Sequence, residues 1–299
     1  MKRLAFSLLG MIIGCCLAWT GQAQEKQKKP TPKLPEGVKV LRDLAYVPGG
    51  HERQKLDLYL PKNAAGPLPL VVWIHGGGWQ AGSKESTPAL FLLGKGYAVA
   101  SINYRLSQHA TFPAQIEDCK AAIRWLRAHA KEYNLDPQHV GVWGGSAGGH
   151  LVALLGTANN LKEWDTLGGN TDQSSRVQAV CDWFGPTDFT RIAVANQRAS
   201  GPVSRLLGGP VAENMDKAKK ASPITHVSSD DPPFLIMHGA DDKTVPPEQS
   251  EIFAEALKKA GVEVTLKILP GAGHGGTAFT SPESRKLIAE FFDKHLKKK

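Results

Sequence analysis

The sequence predicts an α/β fold with one mostly parallel sheet, helices on both of its faces and a small lid insertion. Six short runs are apolar throughout rather than alternating, which is typical of parallel strands buried on both faces. Helix-forming segments separate these runs, and strands that alternate with helices indicate a parallel sheet. The chain has 299 residues, 41% of them hydrophobic, which suits one large domain with a sizeable core.

The predicted elements follow in chain order. Two antiparallel strands open the domain, near 38–47 and 55–60. The apolar strands are predicted at 68–75, 97–103, 139–145, 177–184, 233–238 and 262–269. The clearest helices are predicted at 113–133, 147–157, 247–260 and 282–294. Segment 187–232 joins two strands and is too long for a plain crossover, so it predicts the lid or pocket rim.

The helix at 113–133 carries an apolar stripe, because Ile116, Cys119, Ile123 and Leu126 recur at helical spacing. This stripe is expected to face the core. Arg105 and Asp118 are expected to form a structural ion pair beside it.

The first 23 residues have the pattern of a signal peptide. Lys2 and Arg3 give a charged start, an apolar stretch follows, and Ala23 offers a small residue at a cleavage position. Ile12-Ile13-Gly14-Cys15 also resembles a lipoprotein cleavage box, which would leave an acylated Cys15 on a membrane surface. The expectation is a secreted or periplasmic protein, with a lipoprotein as the alternative.

Residues 24–37 are rich in Lys, Gln and Pro and predict a flexible linker, followed by the folded domain at 38–299. The formal net charge is +8, and much of the excess lies at the chain ends, as in solvated tails. No basic patch with interleaved aromatic residues is present, so nucleic acid is not an expected partner.

Two cysteines, Cys119 and Cys181, would remain in a chain cut after Ala23. They are predicted either as buried free thiols or as a disulfide, and spacing alone does not choose between these. Neither the cysteines nor the histidines have metal-ligand spacing, so no metal and no cofactor are expected.

The stretch Gly144-Gly145-Ser146-Ala147-Gly148 is a G-x-S-x-G between a predicted strand and a predicted helix. A sharp strand-to-helix turn of this kind exposes a serine hydroxyl and aims the first amides of the helix at the reacting atom. Ser146 is therefore the predicted nucleophile.

A second stretch, His75-Gly76-Gly77-Gly78-Trp79, follows a buried strand. Glycines there let bare backbone approach a ligand, and an H-G-G-G element supplies N–H donors to an oxyanion. We assign these donors to Gly77 and Gly78, with Ala147 N–H as the third. His75 is expected to hold the loop by hydrogen bonds and not to act as a base.

An acid and a histidine follow the last two predicted strands. Asp241 and Asp242 lie after one strand, and His274 lies in a glycine-rich loop after the next. Serine needs a base to take its proton, and a carboxylate fixes the imidazole tautomer, so the order Ser, Asp, His predicts a triad. His150 and His238 are expected to have packing or structural roles.

These blocks resemble the α/β-hydrolase fold of hormone-sensitive-lipase-like esterases, and in particular the acetylxylan and feruloyl esterases of BD-FAE type. The resemblance covers roughly residues 39–295 and also rests on Asn103-Tyr104-Arg105-Leu106 and on Phe184-Gly185-Pro186-Thr187-Asp188. The family pattern H-G-x-x-D-x-x-V-P implies that Asp242 is the acid, with Asp241 as the adjacent alternative. Trp79 and Asp188 are predicted to line the substrate pocket, with packing within the loop as the alternative for Trp79.

The resemblance implies a secreted serine carboxylesterase that hydrolyses short-chain esters through an acyl-enzyme. Acetyl or feruloyl groups on plant-type polysaccharides are the implied substrates, and the short lid suits a bulky or polymer-borne ester. The expected partner is a small-molecule or saccharide-borne ester, with membrane contact only if Cys15 is lipidated. Two alternatives stay open: an amidase or peptidase of the prolyl-peptidase-like group, and a non-catalytic binding module of the same fold.

Overall fold

The computed structural model describes residues 34, 36–159, 161–192 and 201–297. The predicted signal peptide and nearly all of the predicted linker lie outside the described residues. Among the described residues, no helix is long and apolar enough to cross a membrane.

One eight-stranded sheet organises the domain, in the order β1-β2-β4-β3-β5-β6-β7-β8. The strands are β1 Val38–Ala45, β2 Lys55–Pro61, β3 Leu68–Ile74, β4 Ala98–Ile102, β5 Leu135–Gly145, β6 Ala179–Trp183, β7 Phe234–Gly239 and β8 Val264–Leu269. Strand β2 is antiparallel to both β1 and β4, and the pairs from β4 to β8 are parallel. The predicted fold class and every predicted strand are confirmed.

Six α-helices occur in the described chain: α1 Ala114–Ala128, α2 Ala147–Thr157, α3 Pro202–Leu207, α4 Met215–Ala221, α5 Glu248–Lys259 and α6 Pro282–Leu296. Short 3₁₀ helices lie at Pro88–Lys95, Lys162–Trp164, Val211–Glu213, Pro223–His226 and Thr277–Thr280. All four predicted helices are present. The first ends at Ala128, earlier than predicted, because the chain then enters turns that lead into β5.

The sheet separates two apolar clusters. One cluster joins the sheet to α1, α2 and α5 and contains the predicted stripe, including Ile116 and Cys119. The other joins the sheet to the 3₁₀ helix at Pro88–Lys95 and to α6, and contains Cys181. The two thiols are free and buried in different clusters, so they do not pair. The predicted ion pair is present, with Arg105 Nη2 at 2.8 Å from Asp118 Oδ1.

Parallel strands bring their carboxyl ends to one edge of the sheet, where ligands of α/β proteins bind. Strand β5 ends at this edge in Gly145, which is paired with Trp183 of β6. The loops that follow β3, β5, β7 and β8 all leave from the same edge. Four segments far apart in sequence therefore meet around the end of β5.

Candidate active site

Ser146 lies at the turn between β5 and α2, with φ 57° and ψ −120°. Few L residues adopt this region, so the surroundings must hold the backbone there. Glycine is required beside it, since a Cβ at Gly148 would lie 2.0 Å from the Ile74 carbonyl oxygen. Ser146 N donates to the Trp183 carbonyl at 2.8 Å, which ties the turn to β6.

Three predicted residues form one hydrogen-bonded row. His274 Nε2 lies 2.8 Å from Ser146 Oγ, and His274 Nδ1 lies 2.6 Å from Asp242 Oδ2. A carboxylate only accepts, so Nδ1 carries the imidazole proton and Nε2 is left to accept from the serine hydroxyl. The Asp242 side chain is fully buried, whereas that of His274 is 23% exposed. This row has the geometry that proton transfer from a serine requires.

The turn after β7 decides between the two neighbouring acids. Asp242 Oδ1 accepts from Thr244 N at 2.8 Å and from Val245 N at 3.0 Å, so the turn folds around this carboxylate. Asp241 is exposed, and its backbone N–H donates to the Ala272 carbonyl. The carboxylate that faces His274 is that of Asp242.

A second histidine also approaches this acid. His238 Nε2 lies 3.2 Å from Asp242 Oδ2 and donates to the Val245 carbonyl at 2.9 Å, while Nδ1 lies 2.6 Å from Ser250 Oγ. Burial lowers the pKa of His238. His238 thus supports the acid turn, which is the structural role that the sequence predicted.

The loop at residues 75–82, here called the oxyanion loop, lies against the serine. A Cβ added to Gly76 would lie 3.2 Å from Ser146 Cβ. Gly77 has φ 111°, and a Cβ there would lie 2.5 Å from the Ala81 carbonyl oxygen, so only glycine fits. In the described chain, no acceptor takes the backbone N–H of Gly77, Gly78 or Ala147. These are the three N–H groups predicted for an oxyanion.

A cavity of about 740 Å³ opens above Ser146 and His274. Four aromatic side chains line it: Trp73, Trp183, Phe184 and Phe279. Its other walls include Gly76, Gly77, Gly78, Gln80, Pro88, Pro202, Thr244 and Thr280. Pro202, the first residue of α3, comes from segment 187–232, whose role as a lid stays a prediction.

Trp79 and Asp188 do not line this cavity, which corrects the predicted pocket role of Asp188 and leaves the packing alternative for Trp79. Trp79 is 3% exposed; its Nε1 donates to His150 Nδ1 at 3.3 Å and its ring packs edge-on against Phe189. Asp188 Oδ1 accepts from the N–H and the hydroxyl of Thr190. Trp79 has φ 56°, and the tight turn carries its side chain beneath the loop.

His75 and His150 have the structural roles that were predicted. His75 Nδ1 lies 2.8 Å from the Gly76 carbonyl, and His150 Nε2 lies 2.7 Å from the Ala221 carbonyl. Burial lowers the pKa of each to about 4, so both rings are neutral near neutral pH. Neither approaches Ser146 Oγ as His274 does.

Several cavity residues were missed from the sequence. Trp73 and Trp183 lie at the carboxyl ends of β3 and β6, and that position was the available signal. Gln80 and Thr244 had no such signal, because each reaches the cavity only through a turn. No group of three or more metal-ligating side chains occurs among the described residues.

The chain is similar to known ester hydrolases. The BD-FAE family model matches residues 56–257, a span that includes Ser146 and Asp242. The probable carboxylic ester hydrolase LipM of Mycobacterium tuberculosis is 33% identical over 261 residues, covering 82% of this chain and 60% of that protein. The chain thus spans about 60% of the length of the curated relatives it matches first.

Two solved structures are similar over most of the domain. A truncated carbohydrate esterase from gut microbiota has a TM-score of 0.83 and 36% identity, covering 87% of this chain and 98% of its own. An acetyl ester-xyloside bifunctional hydrolase from Caldicellulosiruptor lactoaceticus has a TM-score of 0.69 and 33% identity, covering 80% and 87%. Both share the fold described above over most of its length.

Proposed function

This chain belongs to the BD-FAE family of α/β-hydrolase esterases, and we propose that it is a serine carboxylic ester hydrolase. One observation carries the proposal. Ser146, His274 and Asp242 form a single hydrogen-bonded row. Beside it lie three backbone N–H groups that donate no hydrogen bond to any described residue. A carbonyl seated between the serine and those N–H groups has both a nucleophile and an oxyanion site.

The reaction follows from the row. Ser146 Oγ attacks the ester carbonyl carbon while its proton passes to His274 Nε2, and the Gly77, Gly78 and Ala147 N–H groups receive the oxyanion. The imidazolium then protonates the leaving alcohol as the C–O bond breaks. A water then gives a proton to the same nitrogen and attacks the acyl carbon. The bond between that carbon and Ser146 Oγ breaks, the imidazolium returns its proton to Ser146 Oγ, and the acid leaves. Asp242 holds the ring and stabilises each imidazolium.

The substrates that we propose are acetyl or feruloyl esters on plant-type saccharides. Aromatic rings on one wall of the cavity suit a feruloyl ring, since offset and edge-on ring contacts are favourable. Polar side chains lie beside Gln80 of the cavity wall: Arg205 Nη1 donates to Gln80 Oε1 at 2.7 Å, and Gln108 Nε2 donates to the Gln80 carbonyl at 3.0 Å. Such groups match sugar hydroxyls, and the carbohydrate-esterase neighbour supports this part of the proposal.

We also propose that the enzyme acts outside the cytoplasm. The signal-peptide pattern of residues 1–23 supports this, and a polymer-borne ester is met there. Mass spectrometry of the mature N-terminus tests it: cleavage after Ala23 is expected, and a lipid on Cys15 would indicate the lipoprotein alternative.

A substrate panel tests the activity. It contains p-nitrophenyl acetate, butyrate and octanoate, methyl ferulate, acetylated xylo-oligosaccharides and aminoacyl anilides. We expect acetyl above butyryl, little octanoyl hydrolysis, and release of acetate or ferulate from at least one saccharide ester. Preference for octanoate would refute the short-acyl pocket, and hydrolysis of anilides alone would make the enzyme an amidase.

A variant of Arg205, which donates to Gln80 of the cavity wall, tests the saccharide part separately. Arg205→Ala should raise KM for acetylated xylo-oligosaccharides several-fold more than KM for p-nitrophenyl acetate, because the aryl ester has no sugar to reach beyond the cavity to Arg205. Equal effects on KM for the two substrates would show that Arg205 does not contact the saccharide.

A further inference from the structure

Arg53 lies between β1 and β2, yet its guanidinium reaches both ends of the oxyanion loop. Nη2 lies 3.1 Å from His75 Nε2, at the start of the loop, and donates to the Gly82 carbonyl at 3.0 Å, at its end. Nε donates to the Tyr104 carbonyl at 2.8 Å, which anchors the side chain on the neighbouring segment. The position of the loop therefore depends on a residue outside the catalytic row.

These contacts determine which nitrogen of His75 carries the proton. A guanidinium has only donors, so His75 Nε2 facing it must accept. His75 Nδ1 faces the Gly76 carbonyl at 2.8 Å, and a carbonyl only accepts, so this nitrogen must donate. Both neighbours require the same neutral ring, protonated on Nδ1.

The ring plane is also fixed. The Tyr104 ring stacks on His75 with centroids 4.5 Å apart and planes 17° apart, and the Tyr104 hydroxyl donates to the His75 carbonyl at 3.0 Å. Gly82 packs against the Nδ1 side of the ring, because a Cβ at Gly82 would lie 2.3 Å from His75 Nδ1. His75 is 4% exposed, so water does not compete for its nitrogens.

The Gly76 carbonyl and the Gly77 N–H belong to one planar peptide unit, in which the two groups point in opposite directions. A hydrogen bond from His75 Nδ1 to the Gly76 oxygen therefore also fixes the direction of the Gly77 N–H. That N–H has no acceptor in the described chain, and Gly77 lines the cavity above Ser146.

We propose that Arg53 is a positioning residue for the oxyanion site: by holding His75 in its Nδ1–H tautomer, it orients the Gly76–Gly77 peptide toward the reacting carbonyl. The inference rests on the proposed ester hydrolysis for its catalytic consequence. The arrangement of Arg53, His75 and Gly76 itself does not depend on that function.

Arg53→Met and Arg53→Lys test the proposal. Methionine keeps the apolar stem and removes the donors, whereas lysine keeps the charge but lacks the planar fork that reaches Tyr104, His75 and Gly82 together. We expect kcat for p-nitrophenyl acetate to fall by about 10- to 100-fold in Arg53→Met, less than the roughly 10²- to 10³-fold typical of deleting an oxyanion donor. KM should change by less than about twofold, because the hydrogen bond from the Gly77 N–H to the substrate oxygen strengthens mainly in the transition state.

Two further readouts separate positioning from general damage. The inhibition constant of a trifluoromethyl ketone analogue of the acetate ester should rise in proportion to the loss of kcat/KM. The ¹⁵N spectrum of the His75 ring should show the Nδ1–H tautomer in the unsubstituted enzyme and a mixture in Arg53→Met. Arg176→Met, which removes an arginine from an exposed ion pair with Asp230, is the matched control and should change none of these.

Unchanged kcat in a folded Arg53→Met, or a His75 that keeps its tautomer while kcat falls, would overturn the proposal. If Arg53→Met does not fold, Arg53→Lys is measured in the same way and decides it. If the unsubstituted chain hydrolyses no ester, the proposed function fails. The rate of Ser146 phosphonylation by a fluorophosphonate, which also places an oxyanion at Gly77, then decides the role of Arg53.

Discussion

Exchanging the acid of the row for its amide gives the sharpest test of the site, because the chain supplies its own control one residue away. In Asp242→Asn, the carbonyl oxygen can keep the two turn N–H groups that Oδ1 now accepts. The amide nitrogen then takes the place of Oδ2, 2.6 Å from His274 Nδ1. Two donors would face each other, so His274 must move its proton to Nε2, where it can no longer accept from Ser146.

The magnitude has two parts. Loss of the carboxylate removes the attraction to the imidazolium, which at about 4 Å and an effective dielectric constant of about 20 is worth about 4 kcal/mol, or about 10³-fold in rate. The wrong tautomer adds roughly another factor of ten. We therefore expect kcat to fall by about 10⁴-fold, as in the well-studied serine triads.

The assay is single-turnover and steady-state hydrolysis of p-nitrophenyl acetate, with thermal unfolding to verify that the variant is folded. Asp241→Asn should stay within about threefold of the unsubstituted enzyme, because its side chain is exposed and outside the row. A variant Asp242→Asn that keeps more than about a tenth of the activity would refute the tautomer argument. A larger loss in Asp241→Asn than in Asp242→Asn would move the acid to Asp241.

Three further predictions concern Ser146, Gly77 and the buried Asp182 of β6. Ser146→Ala should lose activity by about 10⁴-fold or more and all fluorophosphonate labelling, with its melting temperature nearly unchanged; retained labelling would identify another nucleophile. Gly77→Ala should lower kcat at least about 100-fold, whereas Gly96→Ala, also at positive φ but with no atom near its Cβ, should cost stability only; equal kcat values for the two would contradict the role of the loop. Burial raises the pKa of Asp182 to about 7, so the folded state holds this proton more tightly and stability falls as pH rises from about 4 to 7. Asp182→Asn should therefore be more stable than the unsubstituted enzyme at pH 8, by up to about 4 kcal/mol, and little different near pH 4 in urea unfolding. Asp172→Asn, at an exposed position, is the matched control, and an equal gain in stability from it would exclude burial as the cause.

The strands and principal helices could be predicted because their signals are local. A short run that is apolar on both faces, such as 233–238, is buried most readily as an inner strand of the sheet. The glycines around Ser146 fit one kind of strand-to-helix turn. The order of Ser146, Asp242 and His274 along the chain was sufficient to predict a row, since parallel strands deliver their following loops to one edge.

The remaining features depend on contacts that no local pattern contains. Trp73 and Trp79 flank the same glycines, and the sequence alone left Trp79 either in the pocket or packed within the loop. The turn that closes at Gly77 carries Trp79 beneath the loop, so Trp73 reaches the cavity instead. Arg53 is 22 residues from His75 in the chain, and its contact exists only because the sheet brings β2 near the end of β3.

The catalytic row also has a consequence for how the enzyme is made. Ser146 and His274 are 128 residues apart, and the strand that delivers His274 lies at the far edge of the sheet. Contacts of such sequence separation form late, because closing a long loop costs entropy before the contact repays it. During synthesis the turn that carries Ser146 emerges well before His274. An unfinished chain therefore carries the nucleophile without the histidine that takes its proton. Recovery of activity during refolding should accordingly lag behind recovery of the far-ultraviolet dichroism signal of the helices and strands, which makes ester hydrolysis a direct measure of when the last strand joins the sheet.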